Sequence, residues 1–391
     1  MKMVNNQFYK IVRSVVGASN QPIGLHEPSF GQDDETCVLK TVRSGWVSYQ
    51  GEMVKQFEQT LASYLEAPNV ISVVNGTTAL FVVLKALNIG VNDEVLVPSL
   101  TFAATVNAVC HAGAIPHFVD SCELTFAIDF DKLEIYLHAN TFLDDNGSLI
   151  NKKTGNQIKA IVPVHILGAS FDIPRLKEIA FKFNLQIIED AAEALGSKYK
   201  DKRVSALTGL GILSFNGNKI ITTGGGGAIV LHDDLLAQKL RHLTTTAKKP
   251  HKYEFEHDEI GYNLRMPALN AALGYSQMNK INVFLEKKRV LYNNYESAFN
   301  NCGFGNMFNP DLFGESNCWL NAFILDKESK PQKNHILDFL NDQGVSARPM
   351  WKPLHLLDIY RDYPRADCMV ANDLYERVIC LPSSARLANN A

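Results

Sequence analysis

The sequence lacks the features of several protein classes. Its seven cysteines are scattered, odd in number and never spaced as CxxC, which argues against a disulfide framework or a zinc knuckle and favours a reducing compartment. No stretch approaches the ~20 apolar residues of a membrane span, and the start, MKMVNNQFYKIVRSVVG, has no long apolar segment followed by a small-residue cleavage site. We therefore expect a soluble, cytoplasmic protein.

Strong net charge and the common nucleotide-phosphate motifs are also missing. The formal net charge is -3 at pH 7 and no arginine-rich run occurs, so we expect no binding to nucleic acid or to a membrane. Neither GxGxxG after a strand nor GxxxxGK[ST] is found, which disfavours dinucleotide and P-loop chemistry. No metal site is predicted.

From about residue 70 the chain alternates short apolar runs with helical patterns. ISVV precedes TTALFVVLKAL, EVLVPS precedes TFAATVNAVCHAG, and AIVPVHI precedes IPRLKEIAFKFN, which LQIIED follows. This alternation predicts an α/β fold, with parallel strands joined by covering helices and ligands at the carboxyl ends of the strands. Since 391 residues exceed what one core usually holds, we expect two domains.

A change of composition near residue 245 marks the expected domain boundary. The polar stretch TTTAKKPHKYEFEHDE is followed by a predicted long helix from Pro267 to about Phe299, and then by WLNAFILD, HILDFLNDQG and VICLPSS. We expect an N-terminal helical arm over residues 1–21, a large domain over residues 22–245, and a smaller α+β domain over residues 246–391.

Two strand ends carry polar groups. In ISVVNGTTALFVVLKALNIG, Thr77 is placed to open a helix directly after Gly76, and such an N-terminus can hold a phosphate, although Thr77 acting as a simple helix cap is the plainer interpretation. In LQIIEDAAEALG, Glu189 and Asp190 end an apolar strand, where an α/β fold places functional side chains; strand-end acids also often cap the next helix.

A lysine stands in an apolar setting in GILSFNGNKIITTGGGG. Burial would disfavour the ammonium of Lys219, lower its pKa and make the free amine a nucleophile toward a carbonyl, whereas most lysines simply lie at the surface. Pyridoxal phosphate requires this kind of lysine together with an acid that protonates the pyridine nitrogen and a phosphate anchor. The three segments therefore predict a pyridoxal phosphate site.

Together these motifs resemble the sugar aminotransferases of the DegT/DnrJ/EryC1/StrS group over nearly the whole chain. The matching stretches are SGWVSYQGEMVKQFE, VVNGTTAL, DEVLVPSLTFAATVNAVCHAGAIPHFVD, VPVHILG, IIEDAAEALGS, ILSFNGNKIITTGGGGAIV and GYNLRMPALNAALG. The resemblance implies a fold-type I pyridoxal phosphate transferase with a large, mostly parallel seven-stranded sheet and a smaller α+β C-terminal domain. SFNGNKIITTGGGG and SARPMWKPLH look most like the branch that aminates UDP-linked 4-keto-6-deoxy N-acetyl sugars for legionaminic acid or bacillosamine.

The resemblance also implies roles for residues around the cofactor. Lys219 would be the Schiff-base lysine, Asp190 the partner of the pyridine nitrogen, and Glu193, where many members have glutamine, would lie near the ring hydroxyl. Phe102 would stack on the pyridine ring. Gly76, Thr77 and Ser214 would donate hydrogen bonds to the phosphate, and Asn263 would reach the phosphate of the partner chain across a dimer interface.

Six further residues are implied to border the nucleotide-sugar site, since arginine and lysine suit a diphosphate and tryptophan suits a base or a sugar face. They are Trp46, Tyr49, Arg348, Trp351, Lys352 and His355. An ordinary amphipathic surface is the alternative for these positions.

The implied activity is the transfer of an amino group from L-glutamate to C4 of a nucleotide-linked 4-keto-6-deoxy sugar, by a ping-pong mechanism in a homodimer with shared sites. Related dehydratases carry histidine where this chain has Lys219, so the lysine favours transamination. A non-catalytic regulatory protein of the same fold is a second alternative, and a nucleotide-sugar dehydrogenase, disfavoured by the missing GxGxxG, is a third.

Overall fold

The computed structural model describes residues 2–17 and 21–390 of the chain. Twelve α-helices lie within these ranges: α1 Lys2–Val16, α2 Gln32–Ser44, α3 Glu52–Leu65, α4 Gly76–Ala86, α5 Ala103–His111, α6 Phe130–Asn140, α7 Ile173–Lys182, α8 Asp234–Thr244, α9 Ala268–Met278, α10 Ile281–Phe299, α11 Lys333–Asp342 and α12 Met369–Arg377. Single turns of 3₁₀ helix and a longer C-terminal one occur at Ile166–Gly168, Lys330–Gln332, Leu354–Leu356, Asp358–Tyr360 and Ala385–Asn390.

The strands are short and fall into two main sheets and a small hairpin. They are β1 Asn69–Val73, β2 Asp93–Pro98, β3 Ile115–Val119, β4 Thr141–Leu143, β5 Leu149–Asn151, β6 Gln157–Ile161, β7 Gln186–Ile187, β8 Glu189–Asp190, β9 Lys198–Tyr199, β10 Lys202–Arg203, β11 Leu210–Ser214, β12 Gly227–Leu231, β13 Gly305–Met307, β14 Asn321–Leu325, β15 Arg348–Pro349 and β16 Val378–Leu381. β7 and β8 are two parts of one extended segment, on either side of Ile188.

The larger sheet is seven positions wide, in the order β3-β2-β6-β7/β8-β11-β12-β1. β12 runs antiparallel to both of its neighbours, and the other neighbouring pairs in this row are parallel. The β7/β8 segment joins the two halves, since β7 pairs with β6 and β8 pairs with β11. The expected fold class, an α/β fold with a mostly parallel seven-stranded sheet, is confirmed.

Both faces of this sheet are covered, which explains its continuous apolar strands. In β2, Val95 and Val97 belong to the core beneath α4 and α5, whereas Leu96 points to the opposite face. There it packs in a second cluster with apolar residues of α6 and α7, such as Leu133 and Leu176. The period-two alternation of side chains along a strand produces these two layers.

The smaller domain is an antiparallel sheet in the order β13-β14-β16-β15, packed against α1, α10 and α11. Its core is rich in phenylalanine: the rings of Phe8 in α1 and Phe323 in β14 meet edge to face with centroids 5.2 Å apart. α1, which the sequence predicts as a helical arm, therefore packs on the C-terminal domain through its buried apolar side.

The long helix predicted from Pro267 to about Phe299 is wrong in one respect, because the chain breaks at Asn279 and Lys280 and forms two helices, α9 and α10. α9 packs on α2 and α3, and Lys280 pairs with Asp34 of α2, while the later turns of α10 belong to the small-domain core. Because of this break, α9 packs in the core of the large domain and the later turns of α10 pack in the core of the small domain. The boundary at residue 245 stays a prediction.

The fold positions the candidate site at the carboxyl ends of β8 and β11, beside the N-terminus of α4. In the described residues no helix is long and apolar enough to cross a bilayer.

Candidate active site

A cavity of about 680 Å³ lies between the two domains, at the carboxyl ends of the central strands. This is the position at which α/β sheets bind ligands, and the volume is within the usual range for cofactor and substrate pockets. The cavity brings together most of the residues singled out in the sequence: Gly76, Thr77, Phe102, Asp190, Glu193, Ser214, Lys219, Arg348, Trp351 and Lys352.

Lys219 follows a tight turn after β11 and projects into the cavity, with 13% of its side-chain surface exposed. Its Nζ lies 3.6 Å from Glu193 Oε1 and 3.9 Å from the centroid of the Trp319 ring. Burial lowers the pKa of Lys219, and the carboxyl groups of Glu193 and Asp190 partly oppose this effect. A nucleophilic amine requires such a shift, as the apolar setting of this lysine predicts.

Asp190 and Glu189 point to opposite faces of β8. The Asp190 carboxyl faces the cavity, where it accepts hydrogen bonds from the Thr105 hydroxyl (2.7 Å) and from the Ala192 N–H (3.1 Å). Burial raises the pKa of Asp190. Glu189 instead accepts bonds from the N–H and the hydroxyl of Thr208, away from the cavity. Of the two strand-end acids, only Asp190 is therefore available to a ligand.

Glu193 lies beside Lys219 and is almost fully buried. Its Oε2 accepts a hydrogen bond from the Leu167 N–H at 2.9 Å, which fixes the carboxyl so that Oε1 faces the lysine. Burial raises the pKa of Glu193 to about 7, although Lys219 acts in the opposite direction. This carboxyl can therefore hold or release a proton near neutral pH.

The expected phosphate site lies at the N-terminus of α4. The helix cap is Asn75, whose side-chain oxygen accepts from the Thr78 N–H at 2.8 Å, so the interpretation of Thr77 as the simple cap is wrong. Gly76, Thr77 and Ser214 line the cavity at this helix end. A side chain at Gly227 would collide with the Asn75–Gly76 backbone at 2.6 Å, so this glycine allows β12 to lie directly against the helix N-terminus.

Three aromatic side chains line the cavity above the lysine. The Phe102 ring is exposed into it and lies 6.4 Å from the Trp351 ring, centroid to centroid. The rings of Trp351 and Trp319 are nearly parallel, with centroids 6.5 Å apart. These faces suit a flat ring or the apolar face of a sugar. Beside them, Arg348 and Lys352 supply positive charge.

Four residues that the resemblance assigned to the site do not line this cavity. Trp46 and Asn263 are exposed, and Tyr49 lies in a separate surface pocket with Arg241 and Arg265. His355 is buried, with its Nδ1 2.5 Å from the Ser99 Oγ. In a single chain these four are not site residues, and their roles stay predictions.

Sequence reasoning missed Trp319 and Thr105. Trp319 is one of only three tryptophans and stands at the start of WLNAFILD, a stretch that predicts only part of the smaller α+β domain. Its isolation before a strand was the available signal. Thr105 carried none, because its contact with Asp190 joins residues 85 positions apart.

The residues present fit pyridoxal phosphate. A buried amine, a buried carboxyl and a helix N-terminus with two hydroxyl side chains line one cavity, as the cofactor's carbonyl, ring nitrogen and phosphate require. Gly227 lets β12 pack directly against the Asn75–Gly76 backbone at the phosphate end of the cavity.

Comparison with known proteins gives a match over most of the chain. The sequence profile of the DegT/DnrJ/EryC1/StrS aminotransferase family matches residues 28–391. GDP-perosamine synthase of Escherichia coli O157:H7 is 34% identical over 370 residues, which are 94% of each chain. EpsN of Bacillus subtilis (strain 168), provisionally named a pyridoxal phosphate-dependent aminotransferase, is 33% identical over 376 residues, 95% of this chain and 93% of its own.

The fold comparison agrees with the sequence comparison. Helicobacter pylori PseC, described as an aminotransferase involved in the biosynthesis of pseudoaminic acid, superposes with a TM-score of 0.85 and 26% identity. The match covers 95% of this chain and 98% of PseC.

Proposed function

This chain belongs to the DegT/DnrJ/EryC1/StrS aminotransferase family, and from this premise we propose that it transfers an amino group from L-glutamate to C4 of a nucleotide-linked 4-keto-6-deoxy sugar. It is a pyridoxal phosphate-dependent aminotransferase. The observation that carries the proposal is the convergence of Lys219 and Asp190 with the basic rim of Arg348 and Lys352 in one cavity.

Bound pyridoxal phosphate supplies a conjugated ring that accepts the electrons released at the α-carbon of the amino donor. Asp190 would hold the ring nitrogen, and its bonds from Thr105 and Ala192 fix the carboxyl orientation needed for this. Gly76, Thr77 and Ser214 would hold the phosphate at the α4 N-terminus. Phe102 would cover one face of the ring.

Lys219 is the group that moves the proton. Its depressed pKa leaves a fraction of the amine neutral, and a neutral Nζ would take the α-proton of the donor and hold it within the site for a later transfer. For the keto sugar the same amine would act in the reverse direction. Because both substrates need Lys219, they would use the cavity in turn, which is the basis of the ping-pong mechanism.

The rim supports a phosphorylated substrate. Arg348 and Lys352 line the mouth of the cavity next to Trp351, so that a diphosphate and an apolar sugar face could be bound side by side. The names of the related GDP-perosamine synthases and the description of PseC also support an amino-sugar product. We propose a UDP-2-acetamido-2,6-dideoxy-hexos-4-ulose as the substrate, for surface polysaccharide or for a nonulosonic acid or bacillosamine-type sugar.

The amino-donor half of the proposal is tested without the sugar. Cofactor-loaded protein is mixed with excess L-glutamate, and released 2-oxoglutarate is quantified. We expect close to one 2-oxoglutarate per chain, because the reaction must stop once each cofactor carries the amino group. Continuous release, or no keto acid from any amino donor, would contradict the ping-pong proposal. Release of pyruvate from L-alanine without 2-oxoglutarate from L-glutamate would correct the donor.

The sugar half is tested with matched acceptors. The 4-keto-6-deoxy sugar is supplied on UDP, GDP and dTDP, with and without the 2-acetamido group, to protein carrying the amino group. We expect the UDP-linked 2-acetamido sugar to give the highest kcat/KM. Several relatives are named GDP-perosamine synthase. A higher kcat/KM for the GDP-linked sugar would therefore assign this chain to another branch of the family.

We also propose a homodimer in which Asn263 of one chain completes the phosphate site of the other. The exposure of Asn263 and Trp46 in a single chain supports this proposal. The variants Lys219→Ala and Asn263→Ala, each expected to be inactive alone, are mixed under conditions that exchange subunits. A hybrid dimer would contain one intact site, so activity should return; no return in demonstrated hybrids would place Asn263 elsewhere. The seven unpaired cysteines support a cytoplasmic location.

A further inference from the structure

The segment that leads into β14 of the small domain touches both catalytic segments of the large domain. The Trp319 indole N–H donates to the carbonyl of Asn218, at 2.6 Å, and the ring itself covers the Nζ of Lys219 at 3.9 Å. One tryptophan therefore contacts both the backbone before the catalytic lysine and its amine. Trp319 is buried, with 3% of its surface exposed.

Asn317 makes the corresponding contacts with the segment of Glu193. Its side-chain amide donates to the carbonyl oxygens of Glu193 (2.8 Å) and Leu195 (2.9 Å), and its side-chain oxygen accepts from the backbone N–H of Trp319 (2.9 Å). Gly168 packs so closely here that a side chain on it would lie 1.9 Å from Asn317 Oδ1. Both the amide nitrogen and the oxygen of the Asn317 side chain are therefore hydrogen-bonded, and these bonds fix the orientation of the side chain.

Lys288 of α10 supports this segment from behind. It is 1% exposed, and its Nζ donates to the carbonyl oxygens of Trp319 (2.8 Å) and Ser383. Across residues 2–17 and 21–390, no ion pair involves Lys288. Burial lowers the pKa of Lys288 to about 7. A neutral amine has two hydrogens, which match the two carbonyls that it contacts.

We propose that Asn317 and Trp319 form a clamp by which the small domain positions Lys219 and Glu193, and that Lys288 anchors this clamp. The three are positioning residues, acting through the catalytic lysine and its neighbouring acid. The inference rests on the proposed role of Lys219. It means that the orientation of the reactive amine is set jointly by the two domains, and not by the loop that carries it.

The test measures how fast pyridoxal phosphate is captured on Lys219, without any turnover. The lysine amine condenses with the cofactor aldehyde with loss of water, and borohydride then delivers hydride to the C=N bond and leaves a stable secondary amine. Samples are quenched at successive times and the peptide containing Lys219 is quantified by mass spectrometry. This readout depends on the position of the amine and on no substrate.

Four variants are compared with the wild type. Trp319→Leu removes the ring and the indole N–H, Trp319→Phe keeps a ring without the N–H, and Lys288→Met removes the anchor. Lys239→Met is the matched control, since Lys239 is half-buried and also donates to a backbone carbonyl, that of Ala86 at 2.7 Å, outside the cavity. Thermal unfolding is recorded for each variant, to separate loss of stability from loss of positioning.

We expect capture to slow on the order of tenfold or more in Trp319→Leu, because misplacing a reacting group by about 1 Å has effects of this size or larger. Trp319→Phe and Lys288→Met should slow capture less, and Lys239→Met should leave it unchanged even if its Tm falls. Capture at the wild-type rate in both Trp319→Phe and Lys288→Met would overturn the clamp, as would equal slowing by Lys239→Met. If Trp319→Leu does not fold, the capture rates of Trp319→Phe and Lys288→Met test the clamp on their own.

Failure of the clamp and failure of the proposed function are distinguishable. If the wild type itself is not captured on Lys219, the assignment of the catalytic lysine is wrong. If pyridoxal phosphate is captured on Lys219 of the wild type, and the Trp319 and Lys288 variants capture it at the wild-type rate, only the clamp is wrong.

Discussion

Two lysines are buried near the domain junction, and they differ in what surrounds them. Lys219 in the large domain lines the cavity, 3.6 Å from Glu193 and under the electrostatic influence of Asp190. Within the described residues, the Nζ of Lys288 in the small domain hydrogen-bonds to backbone carbonyls alone. Burial lowers the pKa of both. A depressed lysine pKa is therefore not by itself a sign of catalysis in this protein; access to the cavity and nearby acids distinguish the two.

Removing each amine in turn tests whether the two lysines have different roles. Lys219→Ala should lower kcat by at least about 10²–10⁴-fold, because it removes the proposed general base, while circular dichroism shows an intact fold. Lys288→Ala should instead lower the Tm, and reduce turnover far less. Normal turnover in Lys219→Ala would end its assignment as the catalytic lysine.

The acid partner of Lys219 provides a second test of the same distinction. Asp190→Ala should weaken cofactor retention by roughly 10–100-fold, since hydrogen bonds to charged groups contribute about 1.5–3 kcal/mol, and kcat should fall with it. Cofactor binding is measured by equilibrium dialysis. The control is Asp233→Ala, which removes the N-cap of α8 and should lower stability without affecting the cofactor. Unchanged retention in Asp190→Ala would refute the ring-nitrogen assignment.

The pH dependence of stability tests the neutral state inferred for Lys288. Its folded pKa, about 7, lies below the 10.5 expected when unfolded, so between these values the unfolded state binds more protons and stability rises with pH. The free energy of unfolding of the wild type, relative to Lys288→Met, should therefore increase by about 2 kcal/mol between pH 7 and pH 9. Urea unfolding at each pH gives this difference.

Comparison within one pH series removes the effect of other titrating groups, because they are shared by both proteins. If the difference in unfolding free energy between Lys288→Met and the wild type does not change with pH, Lys288 stays charged in the folded protein. The inference that a neutral amine donates its two hydrogens to two carbonyls would then be wrong.

The smallest expected effect concerns Glu193. The family often has glutamine at this position, so Glu193→Gln should keep kcat within about tenfold. Its folded pKa of about 7 lies above the usual 4.5, so in the cofactor-free protein its contribution to stability falls as the pH rises from about 4.5 to 7. Relative to Glu193→Gln, the wild type should lose on the order of 2 kcal/mol between pH 5 and pH 7. An unchanged difference would argue that Lys219 keeps this acid ionised.

Local patterns predicted the parts of the site that lie on regular elements. Asp190 at the end of an apolar strand, Gly76 and Thr77 at a helix start, and Lys219 between apolar runs all lie in the cavity. The helix cap was misassigned to Thr77 because asparagine and threonine are both good caps and the sequence gives two candidates within three residues. The break at Lys280 was missed because an apolar pattern continues through it.

The sequence by itself determined the α/β fold class and the family, and it predicted the groups proposed to hold the cofactor, since these depend on local periodicity and on short motifs. Only the tertiary structure decided that Trp319 covers Lys219, that Asn317 binds the Glu193 segment, and that Lys288 lies buried behind both. The contacts of Trp319 and Asn317 with the large domain join residues 101 and 124 positions apart. The physical reason is that no local pattern encodes which surface of one domain will meet the other.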